Sequence, residues 1–314
     1  MSKVVATGQY LPANRLTNEQ LIDQAGIDSS DEWIVQRTGV KARRFAEGES
    51  VADLATEAAR AIIANVGPDV KEDIRLIIVA SMSSGNPTPS IANQVQANLG
   101  IAEAWGFDIS GACSGFTMAV DIAERMSRTY ETGYVLVIGA DKMSQILDLS
   151  DRTSSIIFGD GAGGLLIACD GAGLPGYRSQ LVALEDTKNA ITLDKTVPDR
   201  QHLTMLGRDV FNFVVRAVIP GLAKFIDELN GSYDYVLSHQ ANDRLLDVMS
   251  QKLGIDRQQI PANIAEVANT SSASIPILLD DLVQAGTITL SGQQQIVMVG
   301  FGGGLAYGIN YFKL

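Results

Sequence analysis

The chain has 314 residues, 46% hydrophobic and 19% charged, with 30 glycines and a net charge of −12. This profile fits a compact α/β enzyme and excludes a disordered chain, while the acidic balance excludes non-specific nucleic-acid binding, which needs a basic surface. Apolar runs such as residues 76–80 are too short to span a bilayer, the N-terminus lacks a signal peptide's apolar core, and two cysteines form no disulfide framework, so a cytoplasmic protein is expected, away from membranes.

Taken in order, residues 1–6 start a strand. Residues 50–65 are Ala-rich with an acidic first turn at Asp53, which predicts a helix. A strand over 74–81 leads to a helical stretch ending at Leu99-Gly100-Ile101. The Cys113 segment follows, opening a helix over 114–130. A strand over 134–139 and a glycine turn into a strand over 159–168 complete this half. Residues 207–230 carry a long helical pattern interrupted by Pro220, which predicts a kink or two helices. Then a strand over 233–238 leads to a helical stretch ending at Leu253-Gly254-Ile255. The Asn269 segment, a strand over 295–299 and a glycine-rich stretch over 302–310 follow.

The order of elements repeats. Leu-Gly-Ile precedes Cys113 at nearly the interval at which it precedes Asn269. Duplication is the reading of this pattern, with halves at 1–170 and 171–314. Strands alternating with helices predict parallel sheets covered by helices. Pseudo-two-fold symmetry would bring equivalent loops together at one site, with Asn269 as the counterpart of Cys113.

Cys113 lies where a strand-like stretch gives way to a helical one. Unpaired N–H groups and the positive end of a helix lower a thiol's pKa and favour the nucleophilic thiolate. Its own segment leaves a buried core cysteine equally open. Cys169, at a strand end with no helix start after it, reads as structural. His239 follows the apolar run 235–237 and so sits at the C-terminal end of a strand, where open sheets bind ligands; a capping or core histidine is the competing reading. His202 lies in a polar connection and reads as a surface residue. Asn269 reads either as a reactive amide or as an N-cap. The cluster 300–304 is either a turn or a place where a backbone N–H approaches the thiolate as an oxyanion donor.

Six ordered blocks then carry a specific resemblance: Asp31-Glu32-Trp33-Ile34-Val35-Gln36-Arg37-Thr38-Gly39, the Cys113 segment, Phe158-Gly159-Asp160-Gly161-Ala162-Gly163, His239-Gln240-Ala241-Asn242, Asn269-Thr270-Ser271 and Phe301-Gly302-Gly303-Gly304. In these the chain resembles β-ketoacyl-[acyl-carrier-protein] synthase III over essentially its whole length. The resemblance implies the thiolase fold, two βαβαβ halves in a five-layered α-β-α-β-α arrangement, in a homodimer. It implies the initiating condensing enzyme of type II fatty acid biosynthesis. Cys113 would take an acyl group from acyl-CoA. His239 and Asn269 would promote decarboxylation of malonyl-acyl carrier protein, and Cys113 and Gly303 N–H groups would form the oxyanion hole. Trp33 and Arg152 match residues that sandwich the CoA adenine, and Arg37 and Asn242 match further positions of the CoA tunnel. Phe158 and Phe301 would border the acyl site. Arg244, Arg208 and Arg216 are candidates for docking the acidic carrier protein, although a solvated helix face explains the last two equally well. No cofactor or metal is implied.

The chain departs from the family pattern at four positions. Ser238 replaces the usual proline, Ala268 the usual glycine and Asn212 a frequent lysine. Thr88, in the loop 85–90 that reaches across the dimer to the partner's acyl pocket, replaces a bulky aromatic found in members restricted to short primers. The expectation is a pocket that admits primers longer or more branched than acetyl. A biosynthetic thiolase would need a second cysteine in the final glycine loop, which is absent; a glutamate base like that of hydroxymethylglutaryl-CoA synthase is not located; and the papain-type cysteine signature is missing. A thiolase-fold acyltransferase or specialised-metabolite ketosynthase using the same cysteine is the remaining alternative.

Overall fold

The computed structural model describes residues 2–193 and 202–314. The first half runs β1 (Lys3–Tyr10), β2 (Arg15–Thr17), α1 (Asn18–Ala25), α2 (Asp31–Thr38), β3 (Ala42–Arg44), α3 (Val51–Ala64), β4 (Ile74–Ala80), α4 (Ile91–Leu99), β5 (Trp105–Ile109), α5 (Gly115–Ser127), β6 (Tyr134–Asp141) and β7 (Gly161–Ala168). The second runs β8 (Arg178–Ala183), β9 (Ile191–Thr192), β10 (Thr204–Met205), α6 (Gly207–Phe213), α7 (Ile219–Asp227), β11 (Tyr235–Ser238), α8 (Asp243–Leu253), α9 (Ile264–Val267), α10 (Ser274–Gln284), β12 (Gln295–Gly302) and β13 (Ala306–Lys313).

Local sequence sets several boundaries. Ser50 and Asp53 form a reciprocal capping box at the start of α3, so two N–H groups that a helix start leaves unpaired are satisfied. Gly100 and Gly254 close α4 and α8 in the left-handed conformation, which glycine adopts without steric cost. Pro220 lies in the first turn of α7, so the segment is two α-helices, but without a gap between them. A π turn over Val214–Val218 joins α6 to α7, and a widened turn of this kind accommodates the ring that would strike a carbonyl in a regular α-helix.

Two main sheets result, in orders β1-β7-β6-β4-β5 and β11-β12-β13-β8, besides two-stranded pairs β2-β3 and β9-β10. They are mixed rather than parallel: β4 pairs in parallel with β5 and β6, and β11 with β12, but β7, β13 and their other partners are antiparallel. β7 and β13 return beside β6 and β12, the strands that precede them, as antiparallel neighbours, which needs no crossover helix.

The strands alternate faces, as their period of two requires. Ile77 and Val79 of β4 pack outward against Leu54, Ala55 and Ile62 of α3. Leu76 and Ile78 pack inward with Phe116 and Val120 of α5, Ile275 and Leu278 of α10, and Ile296 and Met298 of the second sheet. On that sheet's far face Val297 and Val299 meet Leu222 and Leu246 of α7 and α8. The layers are therefore helix, sheet, central helices, sheet, helix, the thiolase fold. No helix among the described residues is long and apolar enough to cross a membrane.

The two central helices begin alike. A 3₁₀ turn over Ala112–Ser114 precedes α5, and one over Ser271–Ala273 precedes α10. Ala112 and Ser271, the first residue of each turn, have φ of 45° and 53°. The structural counterpart of Cys113 is thus Ser272, not Asn269. The two starts approach closely: a side-chain carbon on Gly115 would lie 3.8 Å from Ser272 Cβ, and on the other side of the second turn one on Gly139 of β6 would lie 2.3 Å from the Ser272 carbonyl oxygen, so Gly139 tolerates only glycine. The buried carboxylate of Asp141 accepts the Ser272 hydroxyl at 2.7 Å and the Ser83 hydroxyl at 2.7 Å. It fixes the second turn against the loop after β4.

Candidate active site

One cavity of about 370 Å³ collects most of the candidate residues. Arg37, Cys113, Phe158, His239, Asn242, Arg244, Asn269 and Phe301 all line it. The remaining walls are largely apolar: Met82, Ile157, Ile191, Leu203, Met205, Val210 and Phe211. An apolar chamber with few convergent polar groups is the usual form of a small-molecule site.

Cys113 sits at the junction of the two central helix starts. Its Sγ lies 3.5 Å from Ser271 Oγ. Gly302 makes room for it: a side-chain carbon there would come within 3.0 Å of Cys113 Cβ and 3.4 Å of Sγ. Burial pushes the thiol up to about 12, with Asp141 adding to the rise and the Ser271 hydroxyl opposing it. This reverses the expectation of a lowered pKa, because removing the thiolate from water outweighs what the helix start contributes. Cys169 is also buried and pushed up, to about 11. Acidity therefore does not separate the two cysteines; what separates them is that only Cys113 opens into the chamber.

His239 follows the last residue of β11, and its N–H donates to Val299 O at 2.8 Å. Its ring meets the edge of Phe301, centroids 5.2 Å apart at 78°. Nδ1 lies 2.6 Å from Ser274 Oγ. Desolvation holds the imidazole down to about 3, so it is neutral at physiological pH. Asn269 is held on both sides by its backbone, donating to Ile157 O at 2.9 Å and accepting from Gly159 N–H at 3.0 Å. Its Oδ1 accepts the Ser271 N–H at 2.8 Å. That leaves the amide nitrogen as the free end, a donor. The chamber thus offers a thiol, a neutral imidazole and an amide donor among largely apolar walls. Such a set can exchange acyl groups with thioesters and stabilise an enolate oxygen.

The other candidates fall around this centre. Trp33 is flanked by the guanidinium carbons of Arg152 at 4.8 Å and Arg37 at 5.1 Å from its ring centroid. Arg152 also donates to Asp28 O at 2.7 Å. A purine between Trp33 and Arg152 would need two van der Waals separations, ~7 Å, so Arg152 must swing away to admit one. Asn242 caps α8, accepting the Arg244 N–H at 2.9 Å, and donates to Arg37 O at 2.9 Å. Gly303 adjoins the lining residue Gly302. Arg244, itself a lining residue, and Arg208, next to the lining residue Gly207, are exposed. Arg216 faces a separate depression with Asp186, Lys188 and Asn212. Thr88 is exposed on its loop and lines none of this chain's own chamber. Sequence assigns no role to Ser274, and places Ser271 and Gly302 only within blocks, without a contact to Cys113; the Ser-rich run after Asn269 and the glycine cluster 300–304 are the signals it offers.

Comparison with known proteins agrees with this arrangement. The family described as 3-oxoacyl-[acyl-carrier-protein] synthase III matches residues 107–183, and its C-terminal counterpart residues 229–314. The β-ketoacyl-[acyl-carrier-protein] synthase III of Streptococcus pneumoniae serotype 19F is 39% identical, covering 98% of this chain and 97% of that protein. The 3-oxoacyl-[acyl-carrier-protein] synthase III of Aquifex aeolicus superposes with a TM-score of 0.91 at 34% identity, covering all of both chains. The priming β-ketosynthase of the R1128 polyketide pathway superposes equally well at 30% identity, over 100% of this chain and 96% of that one. The chain belongs to the β-ketoacyl-[acyl-carrier-protein] synthase III family, acyltransferase-class condensing enzymes that initiate fatty acid biosynthesis.

Proposed function

We propose that Cys113 carries the primer and that His239 and Asn269 generate the carbanion. The observation that carries this reading is the convergence of these three residues on one chamber. Cys113 loses its proton as its sulfur attacks the acyl-CoA thioester, and CoA leaves as a thiol once protonated. The Cys113 and Gly303 N–H groups receive the oxyanion. A malonyl thioester on acyl carrier protein then enters. Its C–C bond to the carboxylate breaks and CO₂ departs. The negative charge left on the thioester oxygen is met by Nε2–H of His239 and the amide of Asn269. The carbanion attacks the acyl-Cys113 carbonyl, and the sulfur leaves with the bond's electron pair, giving 3-ketoacyl-acyl carrier protein. No metal or redox group enters the scheme.

Trp33, Arg37, Arg152 and Asn242 hold CoA at the mouth. Phe158 and Phe301 border the acyl group. Arg244, which lines the chamber, and Arg208, next in sequence to the lining residue Gly207, meet the acidic carrier protein, while the position of Arg216 makes it the weakest of the three. The working unit is a cytoplasmic homodimer with the two halves joined near residue 170. Support for the dimer is β5, an edge strand whose Trp105 is 49% exposed. Unpaired edges of this kind invite a second strand. The carboxylate of Asp108 in β5 accepts N–H groups of Ile91 and Ala92, so the Thr88 loop is tied close to that edge, which supports a role for it in the dimer.

The test is a panel of straight and branched acyl-CoAs with malonyl-acyl carrier protein, following CO₂ and the 3-ketoacyl product, with sedimentation to count subunits. Cys113→Ala abolishes acyl-enzyme formation; His239→Ala and Asn269→Ala leave acylation measurable and stop condensation. Acylation with no decarboxylation would sink this reading in favour of a simple acyltransferase. Use of acetyl-CoA alone would sink the expectation of a roomy primer pocket.

A further inference from the structure

His239 serves the proposed reaction only if Nε2 carries a hydrogen, and a neutral imidazole carries one on either nitrogen. What decides between them is the partner of Nδ1. That partner is a hydroxyl, Ser274 Oγ at 2.6 Å, completely buried at the start of α10. A hydroxyl can donate or accept, so its other neighbours matter. Gln240 N–H, which can only donate, lies 3.4 Å from the same oxygen. The carbonyl of Ser271, which can only accept, lies 3.0 Å from it. That carbonyl already receives the Ser274 backbone N–H. Distance decides between the hydroxyl's two acceptors: 2.6 Å to Nδ1 is shorter than an N–H donor gives and ordinary for an O–H donor, whereas the carbonyl stands farther off at 3.0 Å.

We infer that Ser274 is a positioning residue: it accepts Gln240 N–H, donates its hydroxyl proton to Nδ1 of His239, and so fixes the tautomer that presents Nε2–H to the substrate oxygen. This rests on the function proposed above and deepens it. The neighbouring turn treats Asn269 in the same way. Ser271 N–H occupies Oδ1, which turns the amide's donor end outward. One helix start thus polarises both groups as donors, without placing a charge in the chamber. A carboxylate in place of Ser274 would instead draw the hydrogen to Nδ1 and leave Nε2 a base.

The chain contains two histidines, so protein labelled with ¹⁵N-histidine gives a spectrum of two rings, with exposed His202 as the internal reference. At neutral pH the expected pattern for His239 is a hydrogen-bearing Nε2 and a bare Nδ1. A hydrogen-bearing Nδ1 with a bare Nε2, or hydrogen on both, overturns the assignment, and this measurement needs no variant. Ser274→Ala is expected to mix the two tautomers and lower condensation about tenfold, the size of one hydrogen bond, while the rate of Cys113 acylation changes less than twofold. Ser274→Thr, which keeps the hydroxyl, is expected to restore both. Equal losses in acylation and condensation in Ser274→Ala, with the tautomer unchanged, would reduce Ser274 to a packing residue. If the wild-type tautomer is as expected but malonyl thioester is never decarboxylated, the parent reading fails and the assignment stands.

Discussion

Ser271 Oγ lies 3.5 Å from the sulfur of Cys113, and it is held there by a backbone with φ of 53°. The left-handed region costs a non-glycine residue on the order of 1 kcal/mol or more. The serine is fully buried, so its hydroxyl has no water to turn to. It opposes the burial that pushes the thiol up. Ser271→Gly should therefore separate stability from reactivity. Relief of the backbone should leave the melting temperature equal or higher, while alkylation of Cys113 by iodoacetamide slows about tenfold for loss of a hydrogen bond to a developing charge. Unchanged alkylation would remove the hydroxyl from the mechanism.

Ala268 precedes Asn269 with φ of 60° and ψ of −162°, a region that only glycine enters freely. The family pattern has glycine at this position, and here an alanine is held in the glycine conformation. Ala268→Gly is expected to stabilise the protein by about 1–3 kcal/mol, read as a higher urea midpoint with unchanged slope. A lower midpoint would mean that the packing of the alanine methyl outweighs the relief.

The two reactive titratable groups predict a stability maximum near neutrality. The folded pKa of His239 is held down to about 3, below its unfolded value of about 6.5. The unfolded chain binds the extra proton, so this contribution is full above about pH 6.5 and is lost as pH falls towards 3. Cys113 is raised to about 12 from about 8.5 unfolded. Its contribution is full below about pH 8.5 and is lost as pH rises towards 12. Each limb has a slope of up to about 1.4 kcal/mol per pH unit. In urea titrations across pH, Cys113→Ala should make the alkaline limb shallower, leaving the part that Cys169, also raised to about 11, contributes, and should leave the acid limb intact.

Arg152 and Arg37 crowd Trp33 in the structure. Trp33→Ala should raise KM for acyl-CoA about tenfold, the scale of one lost aromatic stack of 1–2 kcal/mol. KM for malonyl-acyl carrier protein should stay within twofold. Steady-state kinetics varying each substrate in turn distinguish the two, and an equal effect on both would place Trp33 outside the CoA site.

The chemistry was legible because reactive residue types sit at element boundaries that local rules mark. Cys113 opens a helix, His239 ends a strand, and the six ordered blocks name a family. Acidity was not legible. The segment of Cys113 predicts a lowered pKa, yet the sulfur is desolvated by walls drawn from Gly302 and Ser271, far along the chain. The repeat was legible as an order of elements but not in register, since Leu-Gly-Ile spacing pairs Cys113 with Asn269 where the backbone pairs it with Ser272.

The sequence by itself determined the halves' element order, the helix caps and breaks, and the identity of the thiol, imidazole and amide. These depend on residue type and near neighbours. Only the tertiary structure decided the mixed pairing of the sheets, the raised thiol, the donor orientation of Asn269 and the hydroxyl facing His239 Nδ1. Each of these depends on which groups meet across the two central helix starts and on how completely water is excluded there, and no local pattern encodes either.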